Sequence, residues 1–269
     1  MTIPRRSDKQ SIQLFNVFSD FLKILKNTSN RFKVMMMRNS LRNFVNTVNP
    51  YNSIYIKNLG DSETQIGMLS AISSGFGALF AIVTGWIADR RDKKKIFLLG
   101  ASVGLFTPLV YFVTDVWVLL IFASTLEGFR IGVILPAWQS MYANSVENNV
   151  RGTVYGIANT LMILPTIIAP IIGGLVVTHF GGLTVNGIRP LYIMQLVTLF
   201  LSWIYVLKFL KYEPNSSNTN TKLSFRTFLK DYKEILAING AKTWLTMKML
   251  GAVSVVSLVL SGSFTQPTF

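Results

Sequence analysis

The sequence predicts an all-α membrane protein with seven membrane-spanning helices. Hydrophobic residues make up 50% of the 269 residues, charged residues make up only 14%, and the mean hydropathy is +0.42. A soluble protein of this size needs more charged residues to cover its surface. The basic residues, 26 against 12 acidic ones, lie mainly in the connections on one side of the predicted bundle, which is the distribution typical of cytoplasmic loops.

Five runs are apolar enough for a helix that crosses the hydrocarbon core, which takes roughly 20 residues. They cover residues 64–87, 96–114, 117–142, 152–178 and 190–210. A weaker run at 243–261 predicts a seventh span. Together with a polar first span, these runs predict a six-helix transmembrane bundle at 34–210 and a seventh helix with an external tail at 243–269.

The first predicted span, residues 34–56, contains Arg38, Arg42 and a series of polar side chains at steps of three and four residues. The series is Asn39, Asn43, Asn46, Asn49 and Ser53. This spacing places them on one stripe of a helix, which can therefore face lipid and a wet cavity at once. The alternative is a polar cytoplasmic helix outside the membrane. We favour the span because without it the basic residues of the connecting loops would no longer lie on one side of the membrane.

The charge distribution predicts a multi-pass protein of the cell membrane with its N-terminus in the cytoplasm. The external turns carry only Lys57 and Arg189 as basic residues. The cytoplasmic side then receives the segment 1–33 and the central loop 211–242. Each of these contains an amphipathic stretch that we expect to lie in the membrane interface or to cap the bundle. Residues 211–222 are rich in Asn, Ser and Thr and favour a flexible linker.

Several classes of function are excluded by composition. Cysteine is absent, so the chain has no thiolate nucleophile and no sulfur-ligated metal site. His179 is the single histidine, and it predicts no metal site and no catalytic role. The sequence has no basic face with interleaved aromatic residues, which is the pattern that indicates nucleic-acid binding. We therefore expect no enzyme activity, no cofactor and no nucleic-acid partner.

The connection between the second and third predicted spans reads GWIADRRDKKK, residues 85–95. Gly85 lets a helix end pack closely, and Asp89 can accept hydrogen bonds from a neighbouring helix N-terminus. The segment resembles the major facilitator signature G-x-x-x-D-R-x-G-R-[RK], with Asp92 in place of the later glycine. A short basic loop of any kind explains the lysines but not the spacing of Gly85 and Asp89. The resemblance implies a conformational-gating motif formed by Gly85, Asp89, Arg90, Lys93 and Lys94.

The fourth span carries two charged residues near its middle, Glu127 and Arg130. Residues three apart share a helix face, and a lone charge at this depth costs several kcal/mol, so the two must pair or face water. The segment from Ser124 to Pro136 is similar to the family pattern R-x-x-[QE]-G with a later proline, and Ser124 replaces its arginine. Either the pair only neutralises itself, or Glu127 is a protonatable coupling group with Arg130 beside it.

The fifth span contains two prolines and a glycine pair. Each proline removes a backbone hydrogen bond and permits a bend, and paired glycines allow close helix approach. The span resembles the fifth-helix motif of drug and proton antiporters, G-x8-G-x3-G-P-x2-G-G, with two glycines replaced. We predict a helix-kink motif formed by Gly156, Pro165, Pro170, Gly173 and Gly174. A kinked, tightly packed membrane helix without an antiporter role would show much the same pattern.

The resemblance to the major facilitator family implies a fold of two six-helix halves with substrate bound between them near the midplane. In that fold the first and fourth helices line the pathway. The predicted contacts to a small-molecule substrate or a proton are Asn43, Asn46, Asn49, Glu127, Arg130 and Asn159, although Asn159 can equally serve to bridge helices. The expected activity is secondary active transport of a small solute or drug, by alternating access, in the lipid bilayer.

The seven predicted spans amount to one half of such a fold and one further helix. We therefore expect a truncated or split form of a twelve-span transporter, which needs a second half-transporter chain or a homodimer to close its pathway. The alternative is a non-transporting membrane scaffold or binding module, or an inactive fragment.

Overall fold

The computed structural model describes residues 28–146, 151–211 and 225–238, together with 240–243, 245–247 and 250. Within these residues every regular element is a helix and no strand occurs, which confirms the all-α class. The amphipathic stretch predicted before residue 28, the linker predicted at 211–222 apart from Lys211, and most of the span predicted at 243–261 lie outside the described residues.

The first helical segment consists of a helix at Asn30–Val45, a 3-10 turn at Asn46–Val48 and a second helix at Asn49–Asn58. Its start is capped by Ser29, whose Oγ accepts a hydrogen bond of 3.3 Å from the Phe32 amide. The turn precedes Pro50, which has no amide hydrogen to donate and would clash with the carbonyl four residues earlier in a regular helix. The polar stripe keeps this segment from qualifying as a membrane span by hydropathy.

Five further segments are long and apolar enough to cross a membrane. The second to sixth segments are Glu63–Ala88, Lys93–Val113, Trp117–Ala143, Arg151–His179 and Val185–Phe209. Their number and order confirm the five clear spans that the sequence predicts. A short break divides the third segment at Leu105 and the fifth segment at Leu164.

Two segments begin earlier than predicted because each has a side-chain cap. The Asp92 carboxylate accepts from the amides of Lys94 (2.9 Å) and Lys95 (3.4 Å), so the third segment begins at Lys93 and not at residue 96. Thr184 Oγ1 accepts from the Gly187 amide at 3.1 Å, so the sixth segment begins at Val185, and Pro190 lies inside the helix rather than at its start.

The second and fourth segments cross at very short range. A Cβ atom added to Gly128 would lie 2.5 Å from the Ser73 carbonyl oxygen, and one added to Gly132 would lie 2.5 Å from the carbonyl oxygen of Gly77. Only glycine therefore permits this approach of the two backbones. The crossing fixes the part of the fourth segment that carries Glu127.

Two apolar clusters occupy opposite ends of the bundle. One contains Phe32, Met35, Phe97, Met141, Val154 and Leu210, from the N-terminal halves of the odd segments and the C-terminal halves of the even ones. The other contains Val48, Tyr55, Val177, Ile188, Leu191 and Tyr192, from the opposite halves. Arg42, Glu127 and Arg130 lie at intermediate positions along their segments. The clusters thus bound a polar middle layer in the bundle.

The described residues from 225 onward belong to a second unit. Its described helix, Phe225–Ala237, falls where the apolar spacing predicts an amphipathic helix, and Lys230 pairs with Glu234 one turn later at 3.7 Å.

Candidate functional site

Glu127 and Arg130 form an ion pair within the polar middle layer. Arg130 Nε donates to Glu127 Oε2 at 2.7 Å, and the Nη2 atom donates to Oε1, so the guanidinium holds both carboxylate oxygens. The Arg130 side chain is 10% exposed and the Glu127 side chain 30%. Gly104 makes room for the Arg130 side chain, since a Cβ atom added to this glycine would lie 2.1 Å from Arg130 Cδ.

A cavity of about 310 Å³ lies beside this pair, between the first, second and fourth segments. Its polar lining consists of Asn49, Asn52, Ser53, Ser70, Ser73, Ser74, Ser124 and Glu127. Ile56, Ile66, Leu69 and Tyr111 supply an apolar part. The size is at the lower end of the range for small-molecule sites, and the mixture of apolar wall and polar groups is typical of them. Glu127 is the acidic residue in this lining.

The asparagines predicted to face the pathway have different surroundings. Asn49 lines the cavity, whereas Asn46 and Asn159 are exposed and do not line it. Asn43 points to the fifth segment, where its Nδ2 atom donates to the Met162 carbonyl oxygen at 2.7 Å. The structure therefore brings Asn49 together with Glu127 and leaves Asn43 as a bridge between two helices.

Two arginines of the first segment, which the sequence does not mark as site residues, extend the polar layer. Arg38 is 4% exposed and its guanidinium carbon lies 4.8 Å from the ring centre of Phe97 and 5.7 Å from that of Trp138. Arg42 interacts electrostatically with both Glu127 and Arg130. Arg38 Nη1 and Arg42 Nε are buried without a hydrogen-bond partner. Their spacing of four residues is the available sequence signal, but it does not reveal burial.

The predicted gating motif connects the loop after the second segment to two other helices. Lys93 Nζ donates to Ser140 Oγ at 2.6 Å, and Lys94 Nζ donates to the Leu207 carbonyl oxygen at 3.1 Å. Arg90 folds back onto its own helix, where it donates to the Trp86 carbonyl oxygen at 3.1 Å and covers the Trp86 ring. The two lysine contacts join the first turn of the third segment to the fourth and sixth segments.

The two remaining residues of the motif lie at the end of the second segment. A Cβ atom added to Gly85 would lie 3.9 Å from Pro136 Cβ, which is an ordinary packing distance. Asp89 is the exposed C-cap residue of the helix. Asp92, the departure from the family pattern, serves as the helix cap described above.

The fifth segment is interrupted next to Pro165, whose missing amide hydrogen cannot continue the helical hydrogen bonding. Pro170 lies inside the second helix of the segment. Gly173 is buried. A Cβ atom added to Gly174 would lie 3.9 Å from Tyr51 Oη, whereas one added to Gly156 would have no atom within 4 Å. The glycines of the predicted motif therefore have unequal packing roles.

Tyrosines close the end of the bundle near the second apolar cluster, and the sequence gives no sign of this arrangement. Tyr55 Oη contacts the carbonyl oxygens of Tyr111 (2.8 Å) and Thr114 (2.9 Å). The Tyr192 ring lies 5.1 Å from both the Tyr55 and the Tyr111 rings. Arg189 pairs with Asp115 and also donates to the Thr114 carbonyl oxygen at 3.1 Å. The first, third and sixth segments are joined at this end.

Comparison with known proteins identifies the family of this bundle. Residues 35–269 match the model of the Major Facilitator Superfamily. The chain is 27% identical over 167 residues to the multidrug resistance protein MdtG of Yersinia enterocolitica, covering 58% of this chain and 38% of MdtG. It is 27% identical over 172 residues to the multi-drug resistance efflux pump PmrA of Streptococcus pneumoniae, covering 62% of this chain and 41% of PmrA.

The fold is also found in a solved structure. A crystal structure of the peptide transporter POT in complex with sulfate superposes with a TM-score of 0.57 at 16% identity, over 87% of this chain and 47% of that one. The chain spans about two fifths of the length of the curated relatives that it matches. The predicted resemblance to the N-terminal half of a major facilitator transporter is confirmed. This multi-pass membrane protein belongs to the Major Facilitator Superfamily.

Proposed function

We propose that the chain forms one wall of the pathway of a proton-driven transporter that exports small organic solutes or drugs. The observation that carries the proposal is the position of Glu127, a carboxylate paired with an arginine on the wall of a cavity of about 310 Å³ inside a membrane bundle. Ionisable residues at such a depth are costly and are retained mainly for ion or substrate pathways. The relatives named as multidrug efflux proteins support the class of solute.

The ion pair supplies a two-state element for coupling. While Glu127 is ionised, both its oxygens accept from Arg130, and the pair is neutral as a whole. Protonation of Glu127 removes the charge that holds the guanidinium, so Arg130 can turn to another acceptor. A proton taken up from one side and released to the other would thereby bias the bundle between two arrangements, as alternating access requires.

The gating role that we propose for the loop follows from its contacts. With the N-terminus in the cytoplasm, the loop of Lys93 and Lys94 lies on the cytoplasmic side. Its two lysines lie in the first turn of the third segment and bind that segment to the fourth and sixth segments there, through Ser140 and the Leu207 carbonyl. Asp89 is exposed at the same place and is available to a facing bundle. This loop would fasten the cytoplasmic side in one state of the cycle and release it in the other.

A pathway between two walls needs a facing bundle. The cavity is open to the outside of the described bundle, and the curated relatives are more than twice as long as the region that matches them. We propose that the second wall is a bundle of the same kind, from the same protein, from a second half-transporter chain or from a second copy of this chain.

The test measures proton-driven flux in inverted membrane vesicles from cells that express the chain. A panel of three fluorescent solutes, cationic ethidium, anionic fluorescein and a neutral dye, is offered while a proton gradient is imposed. We expect gradient-driven uptake of at least one solute, and we expect Glu127→Gln to abolish the dependence on the gradient while solute exchange without a gradient persists.

The matched control is Glu63→Gln, because Glu63 is 81% exposed, pairs with Lys57 at the surface and lies outside the cavity lining. This control should behave as the unaltered chain does. Unchanged gradient dependence in Glu127→Gln would remove the carboxylate from the mechanism. Absence of uptake for every solute would contradict transport by this chain or by a pair of its copies.

A further inference from the structure

We infer that Arg42, backed by Arg38, binds the carboxylate of an organic solute, so that the transported compounds include aromatic carboxylic acids. This inference rests on the proposed transport function and deepens it by naming a substrate class. Three features of the first segment carry it: the charge balance of the middle layer, the unpaired atoms of its arginines, and the face on which Arg42 lies.

The middle layer has more positive than negative charge. Arg38, Arg42 and Arg130 interact electrostatically with one another there. Glu127 is the one carboxylate, within the described residues, that takes part in this group, and it holds Arg130 in a two-point ion pair. The other two guanidinium groups, those of Arg38 and Arg42, form no ion pair with a carboxylate in the described part of the chain. An anion would complete the charge balance.

The atoms of the two arginines show the same deficit. Arg38 Nη1 and Arg42 Nε are buried and make no hydrogen bond. A buried donor without an acceptor is destabilising, and more so when it carries a charge. Ionisable groups inside a membrane bundle mark substrate or ion pathways. The planar guanidinium, with five donors in a fixed fork, matches a carboxylate with two parallel hydrogen bonds.

The position of Arg42 relates it to the cavity. Arg42, Asn46, Asn49 and Ser53 follow one another at steps of four, three and four residues and so share one helix face. Asn49 and Ser53 line the cavity, and Arg42 interacts electrostatically with Glu127, which lines it too. The rise from Arg42 to Asn49 is about 10–12 Å, at about 1.5 Å per α-helical residue and about 2 Å per residue of the 3-10 turn. A solute of about that length can therefore contact Arg42 with one end and the cavity with the other.

The apolar part of the cavity indicates what the rest of the solute looks like. Ile56, Ile66, Leu69 and the Tyr111 ring form a wall that suits an aromatic ring. An aromatic carboxylate therefore finds a ring-binding wall at one end and a guanidinium fork at the other. Arg38 adds positive charge behind Arg42, while its own guanidinium stays over the Phe97 and Trp138 rings.

The test compares two probes of nearly the same shape, naphthalene-2-carboxylate and its neutral amide, by titration calorimetry on the purified chain in detergent. The amide lacks the negative charge and has a donor NH2 group in place of one acceptor oxygen. We expect the carboxylate to bind about tenfold more tightly than the amide, as a charge-assisted two-point contact provides. Arg42→Gln should reduce this preference to about threefold or less, and Arg42→Lys should keep part of it because the charge remains without the fork. Lys208→Gln removes an exposed cation outside the group and should leave the preference unchanged.

Each alternative outcome has a defined meaning. Equal binding of the two probes, no binding of either, or a preference that survives Arg42→Gln would overturn the inference. Competition by inorganic sulfate at the affinity of the carboxylate would assign the arginines to free inorganic anions and would overturn it as well. Thermal unfolding of Arg42→Gln serves as the folding control, and we expect no loss of stability because an unpaired buried charge is removed.

The binding experiment and the transport experiment can fail independently. A carboxylate preference that depends on Arg42, without proton-driven uptake of any solute, would support the anion site and contradict the proposed transport. Proton-driven uptake without that preference would support the transport and contradict the anion site.

Discussion

The Asn43 side chain completes the hydrogen bonding of a helix that Pro165 interrupts, through its Nδ2 atom and the Met162 carbonyl oxygen, 2.7 Å apart. Pro165 has no amide hydrogen, so a carbonyl four residues earlier loses its donor, and the carbonyls around the break need other partners. The Leu164 amide donates to the Leu161 carbonyl at 3.3 Å, and Thr166 Oγ1 donates to that of Ile163 at 2.6 Å. Asn43 supplies the contact from another segment.

We expect Asn43→Ala to lower the free energy of unfolding by about 1 kcal/mol, because it leaves a carbonyl inside the bundle without a donor. The unfolding midpoint of the chain in detergent should fall by about 2–4 °C. Asn46→Ala is the matched control, since Asn46 is exposed one turn away, and it should shift the midpoint little.

A double-mutant cycle with Pro165→Ala separates this role from a general loss of packing. Alanine at 165 can restore the helical hydrogen bonds, so Asn43→Ala should cost less in that background. Equal costs in both backgrounds would show that Asn43 does not act through the proline break.

The crossing of the second and fourth segments should tolerate no side chain at its two closest points. Gly128→Ala and Gly132→Ala each place a Cβ about 2.5 Å from a backbone oxygen, so the helices must separate. We expect each to cost about 1–3 kcal/mol, as overpacking does, measured by thermal unfolding. Gly75→Ala is the control in the same helix as Gly77, because nothing lies within 4 Å of its added Cβ, and it should be neutral or slightly stabilising.

Removing one partner of the ion pair in the middle layer should lower the stability more than removing both partners. Glu127→Gln leaves Arg130 without its acidic partner, and we expect a loss of about 3–5 kcal/mol in stability. Arg130→Met in the same chain removes the remaining charge, and the double variant should recover most of that loss. Chemical denaturation of the three variants measures the coupling. A double variant no more stable than Glu127→Gln would show that the cost does not come from the unpaired guanidinium.

The parts of the fold that depend on local sequence could be predicted. Length and hydropathy are enough for the five clear spans, since a lipid-crossing helix satisfies its own backbone wherever it packs. Glu127 and Arg130 were predicted to share a face because three residues make nearly one turn. The sequence predicts that the sixth span begins at Pro190, whereas the helix begins at Val185, because Thr184 caps it and the proline is tolerated inside it.

The parts that depend on which helices meet could not be predicted. Asn43 and Asn49 belong to the same polar stripe of the sequence. Only the packing of the fifth segment makes Asn43 a bridge to Met162, while Asn49 lines the cavity. Arg38 and Arg42 have the spacing of any exposed basic pair, and the burial of Arg38 against Phe97 and Trp138 appears only in three dimensions. Gly104 gives no sequence sign of the arginine side chain that it accommodates.

The replacement of the motif glycine by Asp92 leads to the last prediction. The Asp92 carboxylate caps the third segment through the amides of Lys94 and Lys95, and an acidic group at this end also interacts favourably with the helix dipole. Asp92→Ala should therefore cost about 1 kcal/mol, whereas Asp92→Asn should keep most of the cap and Asp92→Gly should cost only a few tenths. Thermal unfolding in detergent ranks the three variants. Since glycine is tolerated as an N-cap, restoring the family residue is expected to change stability little. Asp92→Ala as stable as the unaltered chain, or Asp92→Gly less stable than Asp92→Ala, would contradict the capping role and indicate that the loop itself needs the aspartate.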